Sequence, residues 1–202
     1  MAIVGSNNKI KLAVLISGRG SNLQAIIDAC AVPKFPAEIA VVISNKPDVF
    51  GLQRAEQADI PTQTVDHKSF ASKAGFEKAL QNTIIPYSAD LVCLAGFMRI
   101  LSADFIDHWP EKIINIHPSL LPKHKGLNTH ERAIEAGDKA AGCSVHYVVP
   151  EMDSGPIIVQ KQVAILENDT PDTLAARVLE QEHLAYPEAI THVAGNILKN
   201  DA

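Results

Sequence analysis

Three side chains in this sequence have the right types for acyl chemistry: Asn115, His117 and Asp153. Asn115 and His117 stand two apart in Ile113-Ile114-Asn115-Ile116-His117-Pro118-Ser119-Leu120-Leu121-Pro122. On an extended backbone they project to one face, while Ile114 and Ile116 point to the other. Pro118 and Pro122 fix their own φ and push the preceding residue towards extended geometry, so the loop leaving this strand has few conformations to choose from. Asp153 lies between Pro150 and Pro156 in a short connection. A carboxylate beside a histidine favours the imidazolium and orients the ring, and an asparagine amide can stabilise an oxyanion although it cannot exchange a proton. No Ser or Cys has the neighbours a nucleophile needs, so direct attack by a substrate amine on a carbonyl fits better than a covalent enzyme intermediate. The plain alternative is that Asn115 and His117 are buried polar groups whose hydrogen bonds are satisfied.

A second chemical feature is Ser17-Gly18-Arg19-Gly20-Ser21-Asn22, which joins an apolar strand to a helix marked by Leu23, Ala25, Ile26, Ile27 and Ala29. Glycines allow backbone geometry that other residues resist, and the helix N-terminus behind them presents free N–H groups, so the turn suits an anion such as phosphate. Leu23 stands where a dinucleotide fingerprint has its third glycine, and the next strand ends in Ser44-Asn45-Lys46 without the acidic residue that grips a ribose. The chain also lacks Gly-Lys-Ser/Thr, which argues against a P-loop. A phosphate monoester fits best, and the competing reading is a tight turn with an N-cap at Ser21 or Asn22. His117, His124, His130 and His146 invite a metal reading. Their spacings match no zinc signature, and His124 sits between Lys123 and Lys125, so no metal is expected.

Positioning these residues needs a sheet. Runs at 10–16, 38–44, 60–65 and 89–96, followed by the Asn-Ile-His run, read as strands, and the nearly continuous apolar centres of 10–16 and 89–96 belong to a sheet covered on both faces. Helical spacing fills Val49 to Asp59 and about Ser69 to Ile85, where Pro86 stops it. A short helix capped by Ser102 and one from Leu127 through Ala136, ended by Gly137, follow. The alternation predicts an α/β fold with a doubly wound, mostly parallel twisted sheet, right-handed crossovers and a Rossmann-like N-terminal half. Ala141–Val149 and Ile157–Ile165 are joined by a stretch too short for a crossover helix, so they should form an antiparallel C-terminal pair. Thr170 as N-cap and Pro171 as first residue open a final helix to Tyr186, where Pro187 should kink or divide it.

A length of 202 residues suits one compact domain. Hydrophobic content of 47% supports a folded core, and a net charge of -5 gives no general attraction for nucleic acid or anionic membrane. No apolar run approaches the ~20 residues of a membrane helix, and no signal peptide is recognisable, so a soluble cytoplasmic protein is expected. Cys30, Cys93 and Cys143 suggest neither a disulfide framework nor a metal site.

Four stretches carry a resemblance: Leu15 to Gln24, Leu94 to Leu101, Asn115 to Pro122, and Asp153-Ser154-Gly155-Pro156. Together they resemble the folate-dependent formyltransferase family over nearly the whole chain, and within it the branch acting on phosphoribosylglycinamide in purine synthesis. The short length favours that branch over methionyl-tRNA formyltransferases, which add a C-terminal domain, and formyltetrahydrofolate hydrolases, which add an N-terminal one. The resemblance implies formyl transfer from 10-formyltetrahydrofolate, a cosubstrate, to the glycine amine of 5-phosphoribosylglycinamide. It implies a single domain over 1–202, with a phosphate-binding half to about 100 and a catalytic, folate-binding half beyond. Carried over by residue, Asn115, His117 and Asp153 are catalytic; Gly18, Arg19, Gly20, Ser21, Asn22 and Glu182 bind the ribonucleotide. Lys73, Met98, Arg99, Ile100, Leu101, Asn115, Val149, Pro150, Glu151, Met152 and Asp153 receive the folate. The partners implied are small molecules, without nucleic acid or membrane, for a monomer or homodimer. Lys73 stands where the family has arginine, and Asn128 where some members have histidine.

Overall fold

The computed structural model describes residues 9–200, so the polar lead Met1–Lys9 falls, through residue 8, outside the described residues. A seven-stranded sheet runs in the order β3-β2-β1-β4-β5-β6-β7. Its strands are β1 (Ile10–Ile16), β2 (Ala37–Ser44), β3 (Thr62–Thr64), β4 (Leu91–Leu94), β5 (Ile113–His117), β6 (Ala140–Tyr147) and β7 (Ile157–Ala164). The helices are α1 (Ser21–Cys30), α2 (Phe50–Gln57), α3 (Lys73–Ile84), α4 (Ala103–Asp107), α5 (Thr129–Glu135) and α6 (Pro171–Asn200). Pairing is parallel from β3 to β5. It turns antiparallel at β5–β6 and again at β6–β7, so the expected α/β class and its antiparallel C-terminal pair are both present.

Alternation along β1 explains the two-sided covering. Leu12, Val14 and Ile16 face a cluster with Leu23 and Ile26 of α1 and with Val178, Tyr186 and Ile190 of α6. Ala13 and Leu15 face the opposite cluster, built from Phe76, Leu80 and Ile84 of α3 and Phe105 of α4. Each fully buried Ile or Leu contributes on the order of 1.5–3 kcal/mol of transfer free energy, which is why β1 is apolar on both faces from Leu12 to Ile16, with the exposed Lys11 near its start.

Local chemistry sets the element boundaries. The third helix starts at Lys73 rather than Ser69, because the Ser72 side chain accepts from Gly75 N and Asp66 accepts from Lys68 N to hold a separate 3-10 turn at His67–Ser69. Ser102 caps α4 by accepting from Phe105 N, as expected, and Thr170 Oγ1 caps α6 by accepting from Thr173 N at 3.2 Å. Pro187 does not divide α6, which runs unbroken through it. A proline inside a helix costs about 3 kcal/mol, but Ala185, Tyr186, Ala189, Ile190, Val193 and Ala194 are all buried around it, and that packing outweighs the lost bond. No helix among the described residues is long and apolar enough to cross a membrane.

Candidate active site

β5 ends in Asn115 and His117, and β6 runs back beside it with His146 directly across from Asn115. The β6–β7 connection then folds over the same end and delivers Asp153. Asp153 Oδ2 lies 3.4 Å from His117 Nδ1 and accepts from Gly126 N at 2.9 Å; its Oδ1 lies 3.7 Å from His146 Nε2. Asp153 adopts φ 49°, a left-handed conformation that Asp tolerates better than most side chains. Gly155 makes the return possible, since an added Cβ there would stand 1.8 Å from the Tyr147 carbonyl oxygen. Asn115, His117 and Asp153 therefore converge, carried by a strand end and a tight connection.

Each group has a defined hydrogen-bonding state. His117 Nε2 donates to the His124 carbonyl at 3.0 Å, which leaves Nδ1 to face the Asp153 carboxylate. His146 Nδ1 donates to the Tyr147 carbonyl at 2.9 Å, so in the neutral ring Nε2 is an acceptor, and Asn115 Nδ2 donates to it at 3.3 Å. Burial holds His146 below the ordinary histidine value, although the Tyr147 carbonyl and the Asp153 carboxylate pull the other way. A neutral His146 thus fixes the Asn115 amide and leaves its second N–H free. His146 entered the sequence reading only through the metal alternative. What reveals it is the antiparallel register, which no periodicity encodes. His130, in the first turn of α5, has a buried Nε2 with no partner among the described residues, and burial followed by the nearby His117 lowers its pKa. Among the described residues no group of three or more His, Cys, Asp or Glu could hold a metal ion.

Apolar side chains flank this centre. β4 pairs with β5 at Leu94 and Asn115, so the loop leaving β4 emerges beside the end of β5. In it Leu101 is buried, whereas Met98 and Ile100 are each 67% exposed. Met152, on the β6–β7 connection, is 49% exposed, and Val148 packs into the cluster that holds Phe97 and Leu101. Two loops thus present an apolar surface suited to a flat ring. Glu151 is exposed and pairs with Lys125 at 3.5 Å. Lys73 lies 3.8 Å from buried Glu77, which accepts from Ser102 N and Oγ at the far end of the β4 loop. Asn128 takes a left-handed φ of 56° ahead of α5, a conformation in which Asn is at home.

The glycine turn sits at the carboxyl end of β1. Gly20 has φ 71° and stands at the N-cap of α1, and neither Ser21 nor Asn22 caps the helix. Asn22 instead donates to Glu182 Oε2 of α6 at 2.6 Å, which ties the turn to the predicted ribose residue. Burial raises the Glu182 pKa, opposed by that amide. Gly18 has open space where a Cβ would be, whereas a Cβ on Gly20 would come within 2.8 Å of Gly51 Cα. Gly51 was not foreseen. It donates N–H to the Gly18 carbonyl at 3.0 Å, and a Cβ on it would meet Ile16 and the Gly18 oxygen. Arg54, one turn further along α2, donates to the Arg19 carbonyl and to Gln24 Oε1, both at 2.9 Å. The helix α2 is therefore the wall against which the turn is pressed. Since α1 carries no acidic residue in its first turn, its free N–H groups keep their positive potential for an anion.

A mostly parallel sheet whose strand ends carry a glycine turn suited to an anion, an apolar loop and an Asn/His/Asp cluster has the architecture of an α/β enzyme. The sequence profile of the formyl transferase family matches residues 10–190, and the chain belongs to that family. Within it, the chain falls among the phosphoribosylglycinamide formyltransferases. It is 49% identical over 190 residues to the Escherichia coli K12 protein of that name, covering 94% of this chain and 90% of that one. A crystal structure of glycinamide ribonucleotide transformylase 1 from Symbiobacterium toebii superposes with a TM-score of 0.93 at 43% identity, covering 97% of this chain and 92% of that one. The trifunctional purine biosynthetic protein adenosine-3 of Gallus gallus is 49% identical over 192 residues, which are 95% of this chain and only 19% of that protein.

Proposed function

We propose that the protein transfers a formyl group from 10-formyltetrahydrofolate to the glycine amine of 5-phosphoribosylglycinamide, a step of purine synthesis, as a single-domain cytoplasmic enzyme without a metal. The observation that carries this reading is the convergence of Asn115, His117 and Asp153 at the end of β5, with an apolar loop and a glycine turn at the carboxyl ends of the neighbouring strands β4 and β1 of the same sheet. The anion turn, with Gly18, Arg19, Gly20, Ser21 and Asn22, receives the phosphate, and Glu182 the ribose. The exposed surfaces of Met98, Ile100 and Met152, with Arg99, Leu101 and the Val149–Asp153 connection, receive the pterin. Lys73 serves the acidic tail.

As the amine attacks the formyl carbon, negative charge grows on its oxygen. The free N–H of Asn115 stabilises that charge, and His117 as imidazolium adds a second donor once its Nε2–H exchanges the His124 carbonyl for the oxyanion. Asp153 holds the charged ring and relays the proton lost by the attacking nitrogen towards the departing folate nitrogen. Incubating purified protein with both substrates and following the formylated ribonucleotide by mass spectrometry tests the proposal. Formate release that does not need the acceptor would identify a hydrolase, and binding of both ligands without product would identify a binding module; either result overturns the reading.

A further inference from the structure

The β1–β4 ladder runs out just where both substrate loops begin. Ala95 N still donates to the Leu15 carbonyl at 2.9 Å, after which the chain turns away at Gly96 with φ 74°. Two residues later it returns: Met98 N donates to Ser17 Oγ at 2.8 Å. The Ser17 hydroxyl therefore supplies the rung that the backbone no longer can. Its own hydrogen goes to Asn45 Oδ1 at 2.6 Å, at the end of β2. Asn45 is 1% exposed and fixed from both sides, since its N–H donates to the Ile16 carbonyl at 3.3 Å and its carbonyl accepts from His67 Nδ1 at 2.8 Å. Ser17 is 6% exposed, and its hydroxyl uses its one donor and one of its two acceptor lone pairs in these bonds.

Ser17 is also the residue before Gly18, the first residue of the anion turn. One buried hydroxyl thus joins the turn to the loop that presents Met98 and Ile100. We propose that Ser17, held by Asn45, is a positioning residue that couples the two substrate sites: an acceptor that orders the anion turn also fixes the apolar loop, and so tightens the binding of the folate. The inference rests on the functional reading above.

Coupling is measured directly in a complex that cannot react, tetrahydrofolate together with phosphoribosylglycinamide. The dissociation constant of tetrahydrofolate, by calorimetry with and without saturating acceptor, gives the coupling as a ratio. In the unaltered protein the ratio should be about fivefold or more, at the low end of ordinary site-to-site coupling. Ser17→Ala removes the partner of the Met98 N–H and leaves the buried Asn45 Oδ1 without one. It should lower tetrahydrofolate affinity about tenfold, bring the ratio to about one, and raise KM for the formyl donor more than it lowers kcat. A merely structural loss would instead weaken both ligands alike. Ser17→Thr keeps the hydroxyl and should restore the ratio. Should Ser17→Ala not fold, Asn45→Ala removes the anchor of the same hydroxyl and should reduce the ratio in the same sense. A ratio unchanged from that of the unaltered protein in folded Ser17→Ala or Asn45→Ala overturns the coupling while formyl transfer stands. Failure of the unaltered protein to bind either ligand overturns the functional reading and the coupling with it.

Discussion

Asn115 shows how much a single side chain depends on its neighbour. Its amide is oriented for the proposed oxyanion role by the buried His146, which accepts one of its two N–H groups. Asn115→Ala removes the donor itself, and losses of such donors run to about 10²–10³ in rate, so kcat should fall by that order while tetrahydrofolate affinity changes little. His146→Ala leaves the donor but frees its orientation. A smaller loss, about tenfold in kcat, is expected, with partial recovery in His146→Gln, whose side-chain oxygen can accept the same N–H. Steady-state rates and calorimetric affinities on folded variants check both, and near-normal turnover in Asn115→Ala would remove it from the chemistry. Asp153→Asn preserves a side chain tolerant of φ 49° while deleting the charge that faces His117 Nδ1, so it should lose rate without losing fold.

At the scale of elements, the glycine turn is legible from the sequence but its wall is not. Gly18 and Gly20 announce a turn by residue type alone, and Asn-x-His between prolines announces a strand end with two polar groups on one face. Gly51 and Arg54 belong to α2, roughly thirty residues away, and only packing reveals that α2 presses on the turn. The same limit hid His146, since Asn115 and His146 meet through antiparallel register, and hid the continuity of α6 through Pro187, where local propensity was outweighed by buried packing. Gly20→Val is the variant that separates the substrates. Its Cβ would be strained at φ 71° and would strike the Gly51 backbone, so the clash is with α2 as much as with the anion. The ribonucleotide should bind at least tenfold more weakly and tetrahydrofolate much less so, and Gly51→Ala should follow the same pattern from the other side of the contact. Equal loss of both ligands in folded protein would show that the phosphate lies elsewhere.

Across the whole molecule, acid stability should depend on three histidines, His146 buried and His130 and His183 half-buried. Burial lowers the pKa of His130, His146 and His183, each from an ordinary value near 6.5. In the unfolded chain these rings take up protons as pH drops through that value, while the folded protein resists them. The unfolded state then holds more protons, and folding stability falls with pH. Their contribution is complete above about pH 6.5 and is lost as pH falls through their lower folded values. The carboxylates give a second, more acidic window. Asp138, hydrogen-bonded to Lys123, and Asp169, held by Arg177, both titrate below the ordinary 3.8, so their contribution persists until pH falls below it. Glu182 runs the other way, because its raised pKa makes its protonated form the one the fold prefers. The melting temperature should therefore decline by several degrees between pH 7.5 and 5, with Glu182 offsetting part of the histidine loss, before Asp138 and Asp169 begin to matter. Replacing His130, His146 and His183 together by Gln should flatten that decline and leave the drop below pH 4 in place. A wild-type melting temperature that stays level from pH 7.5 to 5, or a decline that persists unchanged in the triple variant, would show that these rings are not held neutral by the fold.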